Sequence, residues 1–501
     1  MLWMASLIGI AFGGVHEAPC LTMELLAETG PLQAPTGTWA QLDEKGHRDA
    51  FNVAFPHERA SENFVVKWGN DMSVSSGDVD SLLEGFETAW DLLVEDMGHL
   101  QPAGSQQYLV NVYIGDSGSG APVMHGAAGY FTLDPDGWPM LVMNANVIEY
   151  REYGQKVAAH ELFHSLQYSI NRFPYEGLSA WYWESSANWA ADQTYPEYGA
   201  FLSSFLAARL LHPQYPVDHF DYPDTGSLIE YFQYGSFILP WFITEKLEDW
   251  TIVRDSWMDD NGGRTPLESL AIEVEERGGD FEQIWLEHAV KAGTLDFPDS
   301  WGVSQALRDL RGAPEYDDRI AREVPAGGDE DWVPVSGELK PGRYGFNTLV
   351  LEQIDQGTLS IGVRGELAGN WDSEAFWGAI VSVEDRSGGV EHHDLLFDNA
   401  EAELSLEMAG DEKAVWLTVG VWTNNMADRG VWSREHYSYQ SQFKYLKVVE
   451  EPEPEEPAPN EPFEQEEIKG CGCQAVPVAG AFGTFTLFLP FLALRRRGKF
   501  V

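Results

Sequence analysis

The sequence contains few cysteines and few basic residues, and both shortages narrow its possible functions. Only three cysteines occur in 501 residues, and all lie near the chain ends, as Cys20, Cys471 and Cys473. No disulfide framework can therefore hold the body of the chain together. Lysine and arginine number 31 against 80 acidic residues, and the formal net charge of -49 argues against nucleic acid or anionic lipid as a partner of the globular part.

Apolar and aromatic residues, in contrast, are abundant. Hydrophobic residues make up 44% of the chain and aromatic residues 13%, with 19 tryptophans. A chain of this length and composition can bury large cores, and we expect two or three domains.

Both chain ends have the composition of processing signals. Residues 1–19 begin with an apolar run followed by small residues, which predicts a secretory signal peptide; a buried first helix is the alternative, since no Lys or Arg precedes the run. Residues 450–468 carry nine Glu and five Pro, which predicts an extended acidic linker. Residues 469–501 contain a KGCGC motif, a 19-residue apolar run at 476–494 and an arginine cluster, the pattern of a membrane span.

The order of these last elements resembles the MYXO-CTERM sorting signal of certain Gram-negative bacteria, in which a cysteine motif precedes a hydrophobic helix and a terminal arginine cluster. The resemblance implies membrane insertion of a precursor, cleavage near Cys471 or Cys473, and attachment of the mature protein to the outer cell surface. A plain C-terminal transmembrane anchor is the alternative. In both cases we expect the body to lie outside the cytoplasm and to touch the membrane only through this segment.

The first part of the body is predicted to be α+β, with a mixed sheet followed by helices. Its strand-length segments are bounded by Gly, Pro and Asp, and one long stretch between them repeats apolar residues at helical spacing. The predicted strands are 63–68, 108–115, 129–134 and 140–148, and the predicted helices are 79–97 and about 155–170.

The helix expected at about 155–170 carries the motif HELFH. Residues four apart lie on one face of a helix, so His160 and His164 can bind one metal ion. Glu161 can reach a metal-bound water, which is why HExxH indicates zinc together with a general base. A sheet followed directly by such a helix resembles the zinc peptidases of the zincin class. The alternative is a pair of ordinary helix histidines.

A catalytic zinc requires a third protein ligand and one open position. The metzincin pattern is excluded, because Gln167 and Ile170 occupy the positions of its Gly and third His. Glu184 lies 20 residues after His164 on the next predicted helix, 177–193. This spacing resembles the gluzincins, the thermolysin-like class, and the resemblance implies Glu184 as third ligand. Asn188 stands where thermolysin has an Asp, and its amide can accept a hydrogen bond from an imidazole but adds no charge.

The same resemblance implies the chemistry of a peptidase. Zinc lowers the pKa of a bound water to about 7, and Glu161 takes its proton during attack on a peptide carbonyl. The oxyanion needs a further donor, and some gluzincins place a tyrosine before a helix-starting glycine. Tyr234 precedes Gly235 directly and Tyr231 lies one turn earlier, although either can equally be core packing. We therefore expect a zinc-dependent endopeptidase acting on protein or peptide substrates.

The domain boundaries follow from shifts in pattern. We predict an N-terminal extension or pro-segment at 20–59, a zincin-like metallopeptidase domain at 60–325 and an all-β sandwich at 326–449. The sandwich is indicated by short alternating segments broken by Gly, Asn and Asp. An acidic run of Asp329, Glu330 and Asp331 suggests Ca²⁺, with a solvated domain junction as the alternative.

A second function remains open. The chain can also be an inactive surface adhesion or binding protein on a zincin scaffold. The glutamate at position 161 favours the enzyme, because a binding protein gains nothing from a general base.

Overall fold

The protein is described from a computed structural model. The structure describes residues 20, 22, 25, 44–48, 55–175, 177–198, 203–220, 228–259, 263–297, 322–324, 331–369, 374–424 and 435–446. Within these ranges it is a mixed α+β protein with several antiparallel strand pairs, as the sequence predicts.

The first sheet has five strands in the order β1-β2-β3-β5-β4. β2, β3 and β5 run parallel to their neighbours in the centre, while β1 and β4 are antiparallel and form the two edges. The central strands are apolar and buried on both faces, as is usual when helices cover a sheet. The strands are β1 His57–Ala60, β2 Phe64–Trp68, β3 Val110–Ile114, β4 Gly129–Leu133 and β5 Pro139–Met143.

Two predicted segments differ from the structure at their ends. The helix expected at 79–97 begins earlier, as α1 Ser76–Trp90 capped by the Ser75 side chain, and continues as a π-helical turn over Asp91–Asp96. The strand expected at 140–148 stops at Met143, because the side chain of Asn144 caps a short helix, α2 Ala145–Ile148.

The HExxH helix is confirmed as α3 Arg151–Ile170, which ends at Asn171 in the left-handed conformation. It packs on β4 and β5 and against α1. The next predicted helix is confirmed as α4 Ala180–Thr194, preceded by a 3-10 turn, and it packs along α3. Both helices are buried on nearly every face, so they form the centre of this part of the molecule.

The remaining described helices complete the first part of the molecule. After Tyr231 the chain forms two successive helices, α6 and α7, and two more, α9 and α10, lie between residues 266 and 294. Their bounds are α5 Ser203–Leu210, α6 Phe232–Gly235, α7 Ile238–Leu247, α8 Thr251–Met258, α9 Pro266–Glu276 and α10 Phe281–Thr294.

The later part of the chain forms two β-sheets that share one hydrophobic core. Their strand orders are β11-β10-β13-β8-β6 and β12-β9-β14-β7, which agrees with the predicted all-β sandwich. The strands are β6 Arg322–Glu323, β7 Val333–Pro334, β8 Gly345–Leu351, β9 Gly357–Gly365, β10 Phe376–Glu384, β11 Val390–Leu395, β12 Glu401–Met408, β13 Ala414–Trp422 and β14 Tyr439–Tyr445.

The helices and the sandwich contact each other within one compact unit, Met1–Val448. Trp285 of α10 packs on Trp422 of β13, with ring centroids 6.1 Å apart. Trp285 also leaves no room for a Cβ at Gly420, because that atom would come within 2.4 Å of the indole ring. The tight contact at Gly420 shows that these two surfaces are closely fitted.

Several predicted segments lie outside the described residues: the signal peptide 1–19, the linker 450–468, the sorting segment 469–501, and Asp329 and Glu330 of the acidic run. In the part of the chain that is described, none of the helices combines the length and the apolar character needed to cross a bilayer.

Candidate metal centre

The three predicted metal ligands meet between α3 and α4. The Nε2 atoms of His160 and His164 are 3.1 Å apart. Glu184 reaches them from α4, with its Oε2 at 3.3 Å from His160 and 3.5 Å from His164. All three side chains are buried. The predicted association of a histidine pair with a carboxylate on the next helix is therefore present in the fold.

Neighbouring amide groups set the tautomer of each histidine. Asn188 Oδ1 lies 2.8 Å from His160 Nδ1, and the Asn188 amide nitrogen donates to the backbone oxygen of Tyr234. Gln167 Oε1 lies 2.7 Å from His164 Nδ1, and its amide nitrogen donates to a backbone oxygen of α4. Because an amide oxygen only accepts, each Nδ1 carries a proton, and in a neutral ring each Nε2 then presents a lone pair.

Three acceptor groups thus converge without a proton between them. Neither carboxylate oxygen of Glu184 accepts a hydrogen bond from any residue that the structure describes. A proton on either imidazole would hold the pKa of Glu184 below its ordinary value despite burial, but two neutral rings that present lone pairs supply no such positive charge. Two lone pairs and a buried carboxylate repel one another unless a cation lies among them. This arrangement fits a metal ion, and zinc takes these ligands.

A fourth group, the thiol of Cys20, completes the cluster. Its Sγ lies 3.6 Å from His164 Nε2, and the ligand atoms of Cys20, His160, His164 and Glu184 all lie within 4.8 Å of one another. Tetrahedral zinc with bonds of about 2.0–2.3 Å places its ligand atoms about 3.3–3.6 Å apart. Four of the six separations, 3.1–3.6 Å, are close to these values, and all six are within 4.8 Å, so the four groups are near enough to hold one metal ion.

The predicted general base, Glu161, lies beside the cluster and not in it. Its Oε2 is 3.4 Å from the Cys20 sulfur, and it accepts a hydrogen bond of 3.3 Å from the hydroxyl of Thr22. Burial, only partly offset by His160, raises the pKa of Glu161 to about 7. A carboxyl group with a pKa near neutrality is suited to take up and release a proton.

Of the two predicted tyrosines, Tyr234 is the one at the site. Its side chain lines a small cavity together with His160, Glu161 and Cys20, and its hydroxyl donates to the backbone oxygen of Cys20 at 3.0 Å. Tyr231 packs at 6.3 Å from the Tyr234 ring and is not among the described residues that line the cavity.

The sequence did not indicate four of the residues at the site. Cys20 and Thr22 belong to the segment expected to be an extension or pro-segment, and no local pattern places them beside α3. Gln167 was considered only as a departure from the metzincin pattern, although its place one turn after His164 is a usable signal. Gly129 begins β4, where a Cβ would come within 2.8 Å of Val157 and 3.0 Å of Glu161.

A family model described as a family of unknown function (DUF6055) matches residues 29–451, which is most of the chain. The chain belongs to the DUF6055 family. The matched range includes the two histidines, both glutamates and Tyr234 of the site, and it begins after Cys20. No curated protein matches this DUF6055 chain.

Two solved structures show weak similarity to this DUF6055 protein. The pre-peptidase C-terminal domain of a collagenase from Bacillus anthracis is 9% identical, covers 25% of this chain and 94% of its own length, and has a TM-score of 0.16. A surface-associated copper-binding protein of Methylomicrobium album BG8 is 7% identical, covers 25% of this chain and 98% of its own, with a TM-score of 0.16. At these TM-scores neither similarity supports a conclusion on fold or function.

Proposed function

We propose that this protein is a zinc-dependent endopeptidase of the gluzincin kind. The observation that supports the proposal is the convergence of the lone pairs of His160 and His164 with the Glu184 carboxylate, with Glu161 beside them. The ligand set matches the HExxH motif followed by a glutamate on the next helix, and α3 lies directly under a mixed sheet, as the resemblance to zincins implies.

The proposed substrate is an extended peptide. β4 is an edge strand of the first sheet and packs on α3, so its outer backbone groups can pair with an added strand. Phe131 illustrates this, because its backbone N–H donates to the hydroxyl of Thr22 and not to another strand of the sheet.

The side chains divide the proposed chemistry among them. Bound zinc supplies a Lewis acid that activates water and polarises the carbonyl of the scissile bond. Glu161 accepts the proton of the attacking water and passes it to the departing amine. The hydroxyl of Tyr234 donates to the oxygen on which negative charge develops. Asn188 and Gln167 hold the two imidazoles in the orientation that binding requires.

Metal analysis of the purified full chain tests this proposal. We expect one zinc per chain in the wild type, and near-complete loss of zinc in His164→Ala and in Glu184→Ala, since each removes a ligand. His393→Ala is the matched control, because this histidine lies in β11 of the sandwich and its removal should leave the zinc content unchanged. A well-folded wild type that binds no metal would contradict the proposal.

One observation favours a second candidate, a binding protein with a structural metal centre. Structural zinc sites are closed by four protein ligands, whereas catalytic sites keep one position open, and the Cys20 sulfur lies within 4.8 Å of the other three potential ligand atoms. The structural role predicts that removing Cys20 weakens metal binding and creates no activity. The enzyme predicts that Glu161→Gln abolishes hydrolysis while zinc stays bound.

The proposed location is the outer surface of the cell. It rests on the signal peptide and the MYXO-CTERM-like segment, both outside the described residues. Detection of the protein on intact cells, and its loss on replacement of Cys471 and Cys473, would test it.

A further inference from the structure

We propose that Cys20 is the fourth ligand of the metal and that Cys20 and Thr22 together keep the site closed as an intramolecular inhibitor. The inference rests on the proposed function, because it requires a metal at His160, His164 and Glu184. It adds a ligand and a regulatory contact that the HExxH motif does not contain.

The position of the Cys20 sulfur supports its role as a metal ligand. The Cys20 Sγ is 3.6 Å from His164 Nε2. A sulfur at about 2.3 Å and a nitrogen at about 2.0–2.1 Å from one tetrahedral zinc are about 3.6 Å apart. The buried carboxylate of Glu184 accepts no hydrogen bond from the described residues, and it offers a ligand atom within 4.8 Å of the Cys20 sulfur.

The hydrogen bonds of the Cys20 backbone and of the Thr22 side chain support the inhibitory role. The carbonyl oxygen of Cys20 accepts the hydrogen bond of Tyr234, which is the proposed donor to the oxyanion. The hydroxyl of Thr22 accepts from the N–H of Phe131 on the edge strand and donates to Glu161, the proposed base. Residues 20 and 22 therefore engage the edge strand, the base and the oxyanion donor at once.

A substrate requires the same groups. It would have to pair with β4, present its carbonyl to Tyr234 and leave room for water beside Glu161. Because Cys20 and Thr22 hold these groups, the described arrangement is that of a latent enzyme. Opening requires Cys20 and Thr22 to leave these positions: the Cys20 thiolate would take up a proton from solvent, and His160, His164 and Glu184 would hold the metal with room for a water beside Glu161.

Cobalt substitution of the full chain tests the ligand. Co²⁺ in place of zinc shows a thiolate-to-cobalt charge-transfer absorption only when a cysteine is bound. We expect this band in the wild type and in the control Cys471→Ser/Cys473→Ser, and its loss in Cys20→Ala, which should still bind one cobalt per chain. Cys20→Ser, which keeps the size of the side chain, should also lack the band.

Peptide hydrolysis tests the inhibition. With zinc bound, Cys20→Ala should cleave an unstructured protein substrate at least about tenfold faster than the wild type, because the closed state no longer dominates. Equal or slower cleavage by Cys20→Ala with zinc retained would overturn the inhibitory role.

The outcomes separate this inference from the proposed function. A wild type that binds one cobalt without the charge-transfer band overturns the role of Cys20 alone. A wild type that binds no cobalt overturns the metal site, and the inference falls with it.

Discussion

The helices of the candidate metal centre and the strands of the sandwich differ in which residues they bury. In β12, polar and apolar residues alternate, with Glu401, Glu403 and Glu407 exposed while Ala402 and Met408 are buried. In α3, the charged or polar side chains at positions 155, 156, 160, 161, 164 and 167 are all buried. The sandwich thus follows the alternation expected of a sheet with one solvated face, whereas α3 contradicts the pattern of an amphipathic helix.

This difference indicates where function resides. Burying polar or charged groups is unfavourable unless each is paired or coordinated, so a helix that buries so many must obtain compensation from specific partners. The amides of Asn188 and Gln167 compensate the histidines, and the buried carboxylate of Glu184 on α4 lies beside these histidines in a group that could hold a metal ion. The sandwich shows no comparable cluster of potential metal ligands among its described residues.

The largest expected effect is on the rate of peptide hydrolysis. It compares replacement of one glutamate in the helical region with replacement of one in the sandwich. Glu161→Gln keeps the shape of the side chain and removes the base, so peptide hydrolysis should fall about 10² to 10⁴-fold with zinc retained. Steady-state kinetics and metal analysis, in the wild type and in a Cys20→Ala background, measure both quantities. Glu391→Gln in β11, where the side chain is 78% exposed, should leave the rate unchanged. Full activity of Glu161→Gln would exclude Glu161 as the base.

The next effect is on the free energy of unfolding. It comes from a substitution in the sandwich that should leave metal binding unchanged. Leu417 is fully buried in β13, so Leu417→Ala should lower the free energy of unfolding by about 2–5 kcal/mol through lost burial and a residual cavity. Leu396→Ala, at a side chain that is 87% exposed, should change it by less than about 0.5 kcal/mol. Denaturant titration checks both values, and a zinc content that falls with Leu417→Ala would show that the two regions are not separable.

Metal removal should affect mainly the helical region. If zinc is present at about 100 times its Kd, chelation lowers the free energy of unfolding by about 2.7 kcal/mol. Hydrogen exchange should then accelerate in α3 and α4 and remain nearly unchanged in β9 and β13. Glu184→Ala should not respond to the chelator. Uniform acceleration over the sandwich as well would mean that the metal stabilises the whole unit.

The smallest expected effect separates two tyrosines of one helical stretch. Tyr234→Phe removes the proposed donor to the oxyanion and should lower kcat by about 10²-fold or less, with little change in KM. Tyr231→Phe is the control, because this residue packs beside Tyr234 and the described cavity lining does not include it. A larger loss for Tyr231→Phe would move the assignment one turn upstream.

The sequence by itself determined the elements and part of the site. Helix periodicity is local, so the side chains of His160 and His164 had to share a face. Glu184 was implied only by the resemblance of its spacing to that of the gluzincins. The alternating strands of the sandwich could also be predicted from the sequence, because the pleat of a strand is local. The ends of the strands and helices were harder to predict. Asn144 ends a predicted strand because its side chain caps α2, and the apolar run around it gives no sign of this local hydrogen bond.

Only the tertiary structure brought Cys20 and Thr22 to the cluster. Cys20 and Glu161 are separated by 141 residues in the chain, and no period or motif relates positions so far apart. The role of Gly129 was hidden for the same reason, since its requirement for a small residue arises from Val157 and Glu161 on another element. Neighbouring residues determine local geometry. The approach of Cys20 to the histidines of α3 depends instead on tertiary packing between residues that are far apart in the sequence.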